Sequence, residues 1–458
     1  MNTFPQASPA PRPVHKHRTA ALALLSLLQF LIAIDVTVVN VALPSIGAQF
    51  GADAAALSWV VTGYTLVGGG LLLLGGRLTD LLGRRRMFLL GAALFAAASL
   101  VAGLAPSLEA LVAARFAQGA GEALASPAAL SLIALLYPGP EERAKALGVW
   151  GTISAGGLVV GVLLSGVLTQ LLHWRWIFGI NVPLAAAVLL LTPVLVRPDS
   201  RRTRTGRLDL PGAALLTAGP LAVVYGVLER DVPAVVVGVA LLGAFVAVEA
   251  RAKSPLVPLS FFAHRTRAVA NGATVLLSAA LSATFYLLTL YLQQAMRLEP
   301  LQAGLAYLPF CAALLAAISQ VSRLIGTLGT RRTALLGLAL TGAGLAWLAR
   351  LPEHGSYAAD VLPGMIGVAA GMGIGLVALQ NAALQGVTEH DAGTAAGVQR
   401  SVDQLGGSLG LAVLVGLAAG GAAQVSGFRA AFAWALLGVV IAGAGMWALA
   451  REREVRTG

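Results

Sequence analysis

The chain has 458 residues, of which 57% are hydrophobic and only 11% are charged. Soluble domains carry about 25% charged residues, so this composition excludes an ordinary soluble protein and predicts an all-α polytopic membrane protein. The net charge of +11 does not indicate a nucleic-acid partner, because the arginines lie in short segments between apolar runs. The one cysteine, Cys311, excludes an intrachain disulfide.

Apolar runs of roughly 20 residues, the length that crosses a bilayer as a helix, recur along the whole chain. Such runs predict helices 1 to 14, at approximately 19–42, 57–76, 87–104, 108–136, 146–171, 176–196, 210–228, 233–250, 268–294, 301–322, 333–349, 358–381, 394–420 and 428–450. The first run is longer than the apolar core of a signal peptide, so we expect an uncleaved helix. Prolines at positions 211, 220 and 233 interrupt predicted helices 7 and 8.

An even number of spans brings both termini to one side of the membrane. If that side is the cytoplasm, 24 of the 31 Lys and Arg residues lie in cytoplasmic segments and five lie in outside loops. Loops rich in Lys and Arg stay on the cytoplasmic side. The sequence therefore predicts a multi-pass protein of the cell membrane with both termini cytoplasmic.

An internal repeat lies at the ends of helices 2 and 10. The segment GRLTDLLGRRR, residues 76–86, returns 246 residues later as SRLIGTLGTRR, residues 322–332, although Asp80 is replaced by Gly326. Repeats of this kind are typical of transporters built from two related halves.

The repeat and the spans together predict a domain organisation. We expect two six-helix bundles separated by an inserted helix pair. The predicted segments are a cytoplasmic tail 1–18, an N-terminal bundle 19–196, a cytoplasmic linker 197–209, inserted helices 7 and 8 in 210–250, a second cytoplasmic linker 251–267, a C-terminal bundle 268–450 and a cytoplasmic tail 451–458.

Three acids, Asp35, Glu122 and Asp403, fall clearly inside predicted spans. A charge at the bilayer centre costs about 2.5–3.5 kcal/mol, so such residues usually face a cavity and have a function, although a packing ion pair is the alternative for each. A carboxylate such as Asp35, with no basic residue within a helical turn, can bind a proton from one side and release it to the other.

Two helices carry polar faces. In helix 4, Arg115, Gln118 and Glu122 are spaced by three and four residues and share one face, where Arg115 either tunes nearby carboxylates or pairs with Glu122. In helix 13, Arg400 and Asp403 are close enough to form a local pair, and Gln404 lies beside them. We assign proton coupling to the three acids and Arg115, and cavity positions to the glutamines, Glu122 and Arg400.

Aromatic side chains can stack on a large lipophilic cation. The cavity candidates are Phe30, Tyr64, Phe285, Tyr286 and Tyr291, although packing or lipid contact explains each one equally well. The six histidines lie at termini, helix ends or loops, so proton transfer would run through carboxylates. The sequence has no phosphate-binding loop and no metal-ligand cluster, so we expect no cofactor, no metal and no enzymatic activity.

Several motifs point to a family. The loop after helix 2 matches G-x-L-x-D-x-x-G-R-R at Gly76, Leu78, Asp80, Gly83, Arg84 and Arg85. Helix 1 contributes Asp35, Thr37, Asn40, Ala42, Leu43 and Pro44, helix 4 contributes Arg115, Gln118 and Gly119, and the segment before helix 6 contributes Trp174, Arg175, Trp176, Phe178, Asn181 and Pro183. Over nearly its whole length the chain resembles the major facilitator superfamily, and within it the fourteen-helix drug:proton antiporters (EmrB/QacA-type).

The resemblance implies two rocking six-helix bundles around a central cavity, with the Gly76–Arg85 signature acting as a conformational latch on the cytoplasmic side. One motif departs from the family. Exporters carry G-P-x-x-G-G in helix 5, and the aligned text here runs from Gly161 to Gly166 without the proline and one glycine. Because that motif is linked with antiport, the departure weakens the assignment to export.

We therefore expect a proton-coupled multidrug efflux transporter that exports lipophilic, often cationic compounds by alternating access. Its partners would be the substrate, protons and the lipid bilayer, and we expect a monomer. The alternative is a transporter of the same fold dedicated to one antibiotic, metabolite, lipid or nutrient. A membrane sensor with this fold but without transport is a third hypothesis.

Overall fold

The structure, a computed structural model, describes residues 15–197, 208–387, 392–418 and 424–457. Most of the predicted amino-terminal tail and of the linker 197–209 lies outside these residues. The described part of the chain is helical with short connections and contains no strand. The final helix continues to Thr457, so the predicted tail 451–458 is largely an extension of that helix.

All fourteen predicted spans are helical within the described residues. The helices are α1 His15–Phe50, α2 Ala54–Leu82, α3 Arg84–Gly103, α4 Leu108–Leu136, α5 Pro140–Leu171, α6 Trp176–Leu195, α7 Leu210–Leu228, α8 Val232–Glu249, α9 Arg265–Ala295, α10 Pro300–Leu328, α11 Thr330–Leu348, α12 Tyr357–Ala383, α13 Ala392–Ala418 and α14 Gln424–Thr457. Thirteen of them are long and apolar enough to cross a membrane. The exception is α11, because Arg331 and Arg332 occupy its first turn.

Local sequence explains where several helices begin. The side chains of Asp53, Ser107, Asp209 and Asp231 accept hydrogen bonds from backbone N–H groups in the first turns of α2, α4, α7 and α8. Two of the prolines that interrupt the sequence of the inserted pair lie in the first turns of α7 and α8, where a missing N–H is harmless. Only Pro220 lies inside a helix of this pair.

The internal repeat is visible in the backbone. Gly83 joins α2 to α3 with φ +102°, and Gly329 joins α10 to α11 with φ +78°. This left-handed region favours glycine, so the repeat keeps glycine where each chain reversal requires it. We call the face of the protein that carries these two glycines, the start of α1 and the end of α14 the termini face, and the other side the opposite face.

Helix contacts fall into two groups. In the first, α1 packs on α5 and α6, α2 on α4, and α3 on α4 and α6. In the second, α9 packs on α13 and α14, α10 on α12, and α11 on α12 and α14. Across the groups α2 meets α13 and α5 meets α10, while α7 touches α2 and α13 and carries α8 on its outer side. The exact domain boundaries stay a prediction.

Glycine permits some of these contacts. A Cβ atom on Gly91 of α3 would lie 2.6 Å from both the Gly121 carbonyl oxygen and the Ala125 nitrogen of α4. Backbone atoms cannot rotate away as a side-chain end can. In lipid, where apolar side chains gain little by leaving the tails, such close backbone approach supplies much of the packing attraction.

We predict that Gly91→Ala destabilises the protein by about 1–3 kcal/mol, because the added methyl group forces α3 and α4 apart. The measurement is the midpoint of thermal unfolding of the purified protein in detergent. Gly243→Ala in α8 is the matched control, since no atom lies within 4 Å of the added Cβ. Equal midpoints for the two variants would contradict the role of glycine at the α3–α4 contact.

Candidate functional site

The centre of the first helix group holds a buried ion pair. Asp35 of α1 accepts hydrogen bonds from Arg115 of α4, from Gln118 Nε2 at 3.2 Å and from Asn181 Nδ2 at 3.1 Å. Arg115 and Asp35 are 1% and 0% exposed. The alternative that Arg115 pairs with Glu122 along its own helix is therefore wrong in this structure, because α1 presents a closer carboxylate.

Further contacts hold this pair in place. Arg115 Nε donates to the Val60 carbonyl oxygen at 2.7 Å, and its guanidinium carbon lies 4.3 Å from the centre of the Tyr64 ring. Gln118 also donates to Ser99 Oγ at 2.8 Å. Breaking a buried pair leaves an uncompensated charge, whereas satisfied polar neighbours lower that cost. The network thus ties α1, α2, α3, α4 and α6 together through one carboxylate.

Glu122 of α4 faces the second helix group instead. Its Oε1 accepts from Gln404 Nε2 at 2.9 Å and lies 3.7 Å from Nη2 of Arg400, both on α13. Tyr64 packs under Arg115 with its ring, but neither its hydroxyl nor Glu122 Oε2 has a hydrogen-bond partner among the described residues. The buried polar side chains from Asp35 to α13, which we call the polar line, are therefore hydrogen-bonded except at Tyr64.

Asp403 has a separate environment on α13. Its Oδ1 accepts a hydrogen bond from the Ser278 hydroxyl of α9, and the side chain is half-buried. Among the described residues the ion pair of Arg400 is the one with Glu122, so the predicted local pair of Arg400 with Asp403 is not the contact observed. The physical reason is that tertiary packing offers Arg400 a fully buried carboxylate.

A cavity of about 160 Å³ lies between the two helix groups, lined by α1, α2, α5, α9, α10 and α13. Its wall is mainly apolar and includes Phe285, Phe310 and Cys311. The polar members are Thr37, Asn40, Thr65, Ser282 and Ser408. Among the described residues that line it, none is charged. Drug-sized ligands occupy pockets of about 300–1,000 Å³, so such a ligand requires the helix groups to move apart.

Most predicted cavity residues lie outside this wall. Phe285 lines it, but Phe30 packs between α1 and α5, and the Tyr286 hydroxyl donates to the Ala54 carbonyl oxygen. Tyr291 donates to the Pro352 carbonyl oxygen at 2.7 Å. The remaining predicted cavity residues, Tyr64, Gln118, Glu122, Arg400 and Gln404, belong to the polar line described above. Their contact with substrate stays a prediction.

The two helix groups meet tightly on the opposite face. The Leu301 N–H at the start of α10 donates to Gln170 Oε1 at the end of α5 at 3.0 Å, and Gln293 donates to the Val41 carbonyl oxygen at 2.8 Å. On the termini face, by contrast, the first turns of α5 and the last turns of α10 are largely exposed. The contact between α5 and α10 therefore lies on the opposite face.

The altered helix 5 motif lies at two contacts of this arrangement. Gly161 packs on α1, where a Cβ would lie 2.8 Å from the Ile34 carbonyl oxygen, and Gly166 packs on α10, where a Cβ would lie 2.9 Å from Leu301 Cα. Ser165 replaces the family's glycine, and its hydroxyl donates to the Val38 carbonyl oxygen of α1. The serine thus adds a bond at a helix crossing that the family builds from glycines. The role of the motif stays a prediction.

The predicted latch begins near the end of α2. Gly76 faces α4, with the nearest atom to a Cβ there being Pro127 Cβ at 3.9 Å. Next to it, Arg77 Nη2 donates to the Pro255 carbonyl oxygen at 3.3 Å, which ties α2 to the segment before α9. Asp80 is exposed, while Arg84 and Arg85 are partly exposed in the first turn of α3. The latch function stays a prediction.

Sequence reasoning assigned no role to several residues that the structure brings to the site. Asn181 and Ser99 bind the Asp35 network, and Thr65 and Ser408 meet across the two helix groups. Asn181 belongs to the family motif before helix 6, but nothing in the sequence near it indicates a carboxylate partner. In the part of the chain that the structure describes, no group of three or more His, Cys, Asp or Glu is arranged to hold a metal ion.

The fold and the site define a multi-pass membrane transporter. The profile of the Major Facilitator Superfamily matches residues 25–411. The chain belongs to this superfamily. The narrower assignment to its fourteen-helix drug:proton antiporters stays a prediction.

Proteins named for antibiotic or drug resistance align with nearly the whole chain. It is 50% identical to the lincomycin resistance protein of Streptomyces lincolnensis, over 96% of this chain and 93% of that protein. It is 39% identical to the puromycin resistance protein pur8 of Streptomyces alboniger, over 90% of this chain and 84% of that protein. The multidrug resistance protein Stp of Mycobacterium tuberculosis is 35% identical, over 87% and 76%.

Solved structures share the fold. A bacterial homologue of the human lysosomal transporter Spinster, in an inward-facing and unoccupied conformation, superposes with a TM-score of 0.69 at 17% identity, over 96% of this chain and 98% of that one. The nucleoside transporter NupG gives a TM-score of 0.68 at 12% identity, over 94% and 100%. At these identities the likeness concerns the fold alone.

We predict that Asp35→Asn lowers the free energy of unfolding by about 3–5 kcal/mol, because it leaves Arg115 charged and buried without its counter-charge. The double variant Asp35→Asn/Arg115→Gln should recover part of that loss. The measurement is a double-mutant cycle of thermal unfolding midpoints in detergent. Asp53→Asn is the control, since Asn caps a helix as well as Asp does. Additive effects of Asp35→Asn and Arg115→Gln would refute the pairing.

Proposed function

We propose that this transporter is a proton-coupled exporter of lipophilic, often cationic drugs that works by alternating access. The observation that carries the proposal is the line of buried polar side chains from Asp35 through Arg115, Tyr64 and Glu122 to Gln404. It crosses from one helix group to the other beside an apolar cavity. Charged residues inside membrane spans are costly, so they usually have a function in transport or proton transfer. The resistance and export names of the relatives support the direction of transport.

Glu122 is the proposed link between protonation and movement. While it is ionised it attracts Arg400 and accepts from Gln404, so it holds α4 against α13. A proton on Glu122 would remove the charge attraction and weaken this contact between the halves. Asp35 is the second proposed proton site, where protonation would release Arg115 to its other partners. Asp403 stays a third candidate, next to the Ser278 hydroxyl.

The proposed energy source is the inward movement of protons. One charge that crosses a membrane potential of 100 mV releases about 2.3 kcal/mol. Since about 1.4 kcal/mol corresponds to a tenfold concentration ratio, one proton suffices for a gradient of one to two decades of a neutral drug. A drug with one positive charge needs a second proton, because its export works against the same potential.

We further propose that the termini face is cytoplasmic in a bacterial cell membrane. The distribution of Lys and Arg supports this orientation. The exposed ends of α5 and α10 on that face would then admit substrate from the cytoplasm, with the α5–α10 contact closed towards the outside. The Gly76–Arg85 latch would close the cytoplasmic side in the other state.

A second candidate is an exporter dedicated to one antibiotic class. Two observations favour it: the 50% identity to the lincomycin resistance protein over 96% of the chain, and a cavity wall in which no described residue is charged. Hydroxyl and amide groups in that wall suit a neutral, hydrogen-bonding substrate better than a bare cation. Transport of lincomycin without transport of ethidium would establish this candidate.

We predict that proteoliposomes with an imposed pH gradient move ethidium, and that Asp35→Asn abolishes this movement. Substrate counterflow without a gradient should persist in Asp35→Asn, because it needs binding and alternating access but no net proton transfer. Asp53→Asn, an exposed acid on the opposite face, is the matched control. Loss of counterflow together with driven transport, in Asp35→Asn protein that thermal unfolding shows to be folded at the assay temperature, would mean that Asp35 has no specific coupling role. No transport of ethidium or lincomycin by the folded wild type would favour the sensor hypothesis.

Cys311 offers a direct test of the cavity. It is the only cysteine of the chain and lies in the cavity wall. We predict that a small maleimide labels it and that a transported substrate at saturating concentration slows this labelling, because both occupy the same space. Mass spectrometry of the intact protein measures the rate, and Cys311→Ser gives the background. An unchanged rate in the presence of substrate would exclude this cavity as the binding site.

A further inference from the structure

The inserted pair α7 and α8 contains a second acid site, on the termini face and away from the polar line. Asp209 precedes α7, and Glu249 is the last residue of α8. Glu249 is 3% exposed. The Asp209 Oδ2 and Glu249 Oε1 atoms both lie 2.7 Å from the position that a Cβ on Gly212 would occupy, so they converge on one point.

Each acid already uses its other oxygen. Asp209 Oδ1 accepts from the Gly212 N–H at 2.8 Å and caps α7. Glu249 Oε2 accepts from the Val257 N–H at 3.2 Å, in the linker that follows α8. Among the described residues, no donor reaches either of the two facing oxygens, Asp209 Oδ2 and Glu249 Oε1. Two buried acceptors that face each other without a donor are costly, and two ionised carboxylates there would also repel.

Two arginines near this site in the described part of the chain donate their hydrogen bonds to other groups. Arg77 of α2 donates to the Pro255 carbonyl oxygen, and Arg251 donates to the Ala247 carbonyl oxygen at 3.4 Å. Lys253 lies in the same linker. Within the part of the chain that the structure describes, no basic side chain forms an ion pair with Asp209 or Glu249.

We propose that Asp209 and Glu249 together bind one proton, which bridges Asp209 Oδ2 and Glu249 Oε1. A protonated carboxyl group has one O–H donor, so a single proton supplies the missing hydrogen bond and removes the repulsion. It ties the start of α7 to the end of α8. Through Val257 and the contact of Pro255 with Arg77, it also fixes the linker before α9 against α2. Loss of the proton leaves two facing carboxylates that repel each other, which weakens the contact between the start of α7 and the end of α8.

The direction of the pH effect follows from the linkage between proton binding and folding. The folded protein holds a proton that the separated acids of the unfolded chain release already at acidic pH. Stability falls with rising pH wherever the folded state binds more protons than the unfolded state. The bridge therefore stabilises the protein at low pH and is lost as the pH rises. This inference does not depend on proton-coupled transport, and its test needs no transport measurement.

The test is the thermal unfolding midpoint of the purified full chain in detergent, from about pH 5 to about pH 9. The wild-type midpoint should fall relative to that of Glu249→Gln as the pH rises, since the glutamine amide donates to Asp209 at every pH. Asp209→Asn should behave in the same way, because Asn keeps the helix cap. Glu229→Gln, an exposed glutamate at the other end of α7, should follow the wild type.

Three results would overturn the proposal. The first is a constant difference between the wild type and both variants across the pH range. The second is a rise of the wild-type midpoint with sodium or calcium ions at fixed pH that Glu249→Gln lacks, because it would show a cation site. The third is read on the wild type alone: infrared difference spectra that show no loss of a protonated carboxyl C=O band as the pH rises would contradict a bound proton.

Discussion

The structure depends on one constraint, the cost of placing charges where no water can solvate them. The opposite charges of Asp35 and Arg115 compensate each other. Further hydrogen bonds come from Gln118 and Asn181 to the Asp35 carboxylate and from Arg115 to the Val60 carbonyl oxygen. Because these residues belong to different helices, the ion pair also fixes how α1, α2, α4 and α6 pack. Protonation of Asp35 would therefore alter the packing of the whole first helix group.

The contact between the two helix groups follows the same rule. Glu122 is fully buried, and its partners Gln404 and Arg400 come from the other half of the chain. Elsewhere the halves meet through small residues and backbone groups, such as Gly166 against α10. Small residues give close contact without a strong preference for one arrangement, so the charged contact is the part of the interface that protonation can bias.

The inserted helices carry the same chemistry on the periphery. Asp209 Oδ2 and Glu249 Oε1, like Glu122 Oε2 of the central site, have no hydrogen-bond donor among the described residues. Their position ties the inserted pair to the linker that leads into the second half. The pair α7–α8 is therefore a structural connection between the halves as well as an addition to the fold, because α7 packs on both α2 and α13.

The sequence by itself determined the class of protein, the fourteen helices, the two-part repeat and the buried acids. These features depend on composition, apolar run length and motif identity, which are local properties. Gly83 and Gly329 align within the sequence repeat, and both have the positive φ that favours glycine at a chain reversal of this type.

The tertiary structure alone decided which charges meet. Arg115 and Glu122 share a helical face, but Arg115 turns to Asp35 and Glu122 to α13, since pairing across helices depends on how the helices pack. The cavity wall was missed for the same reason: Thr37, Ser282 and Cys311 converge from distant segments. Spacing along a helix gives the neighbours within that helix, and only packing gives the neighbours across helices.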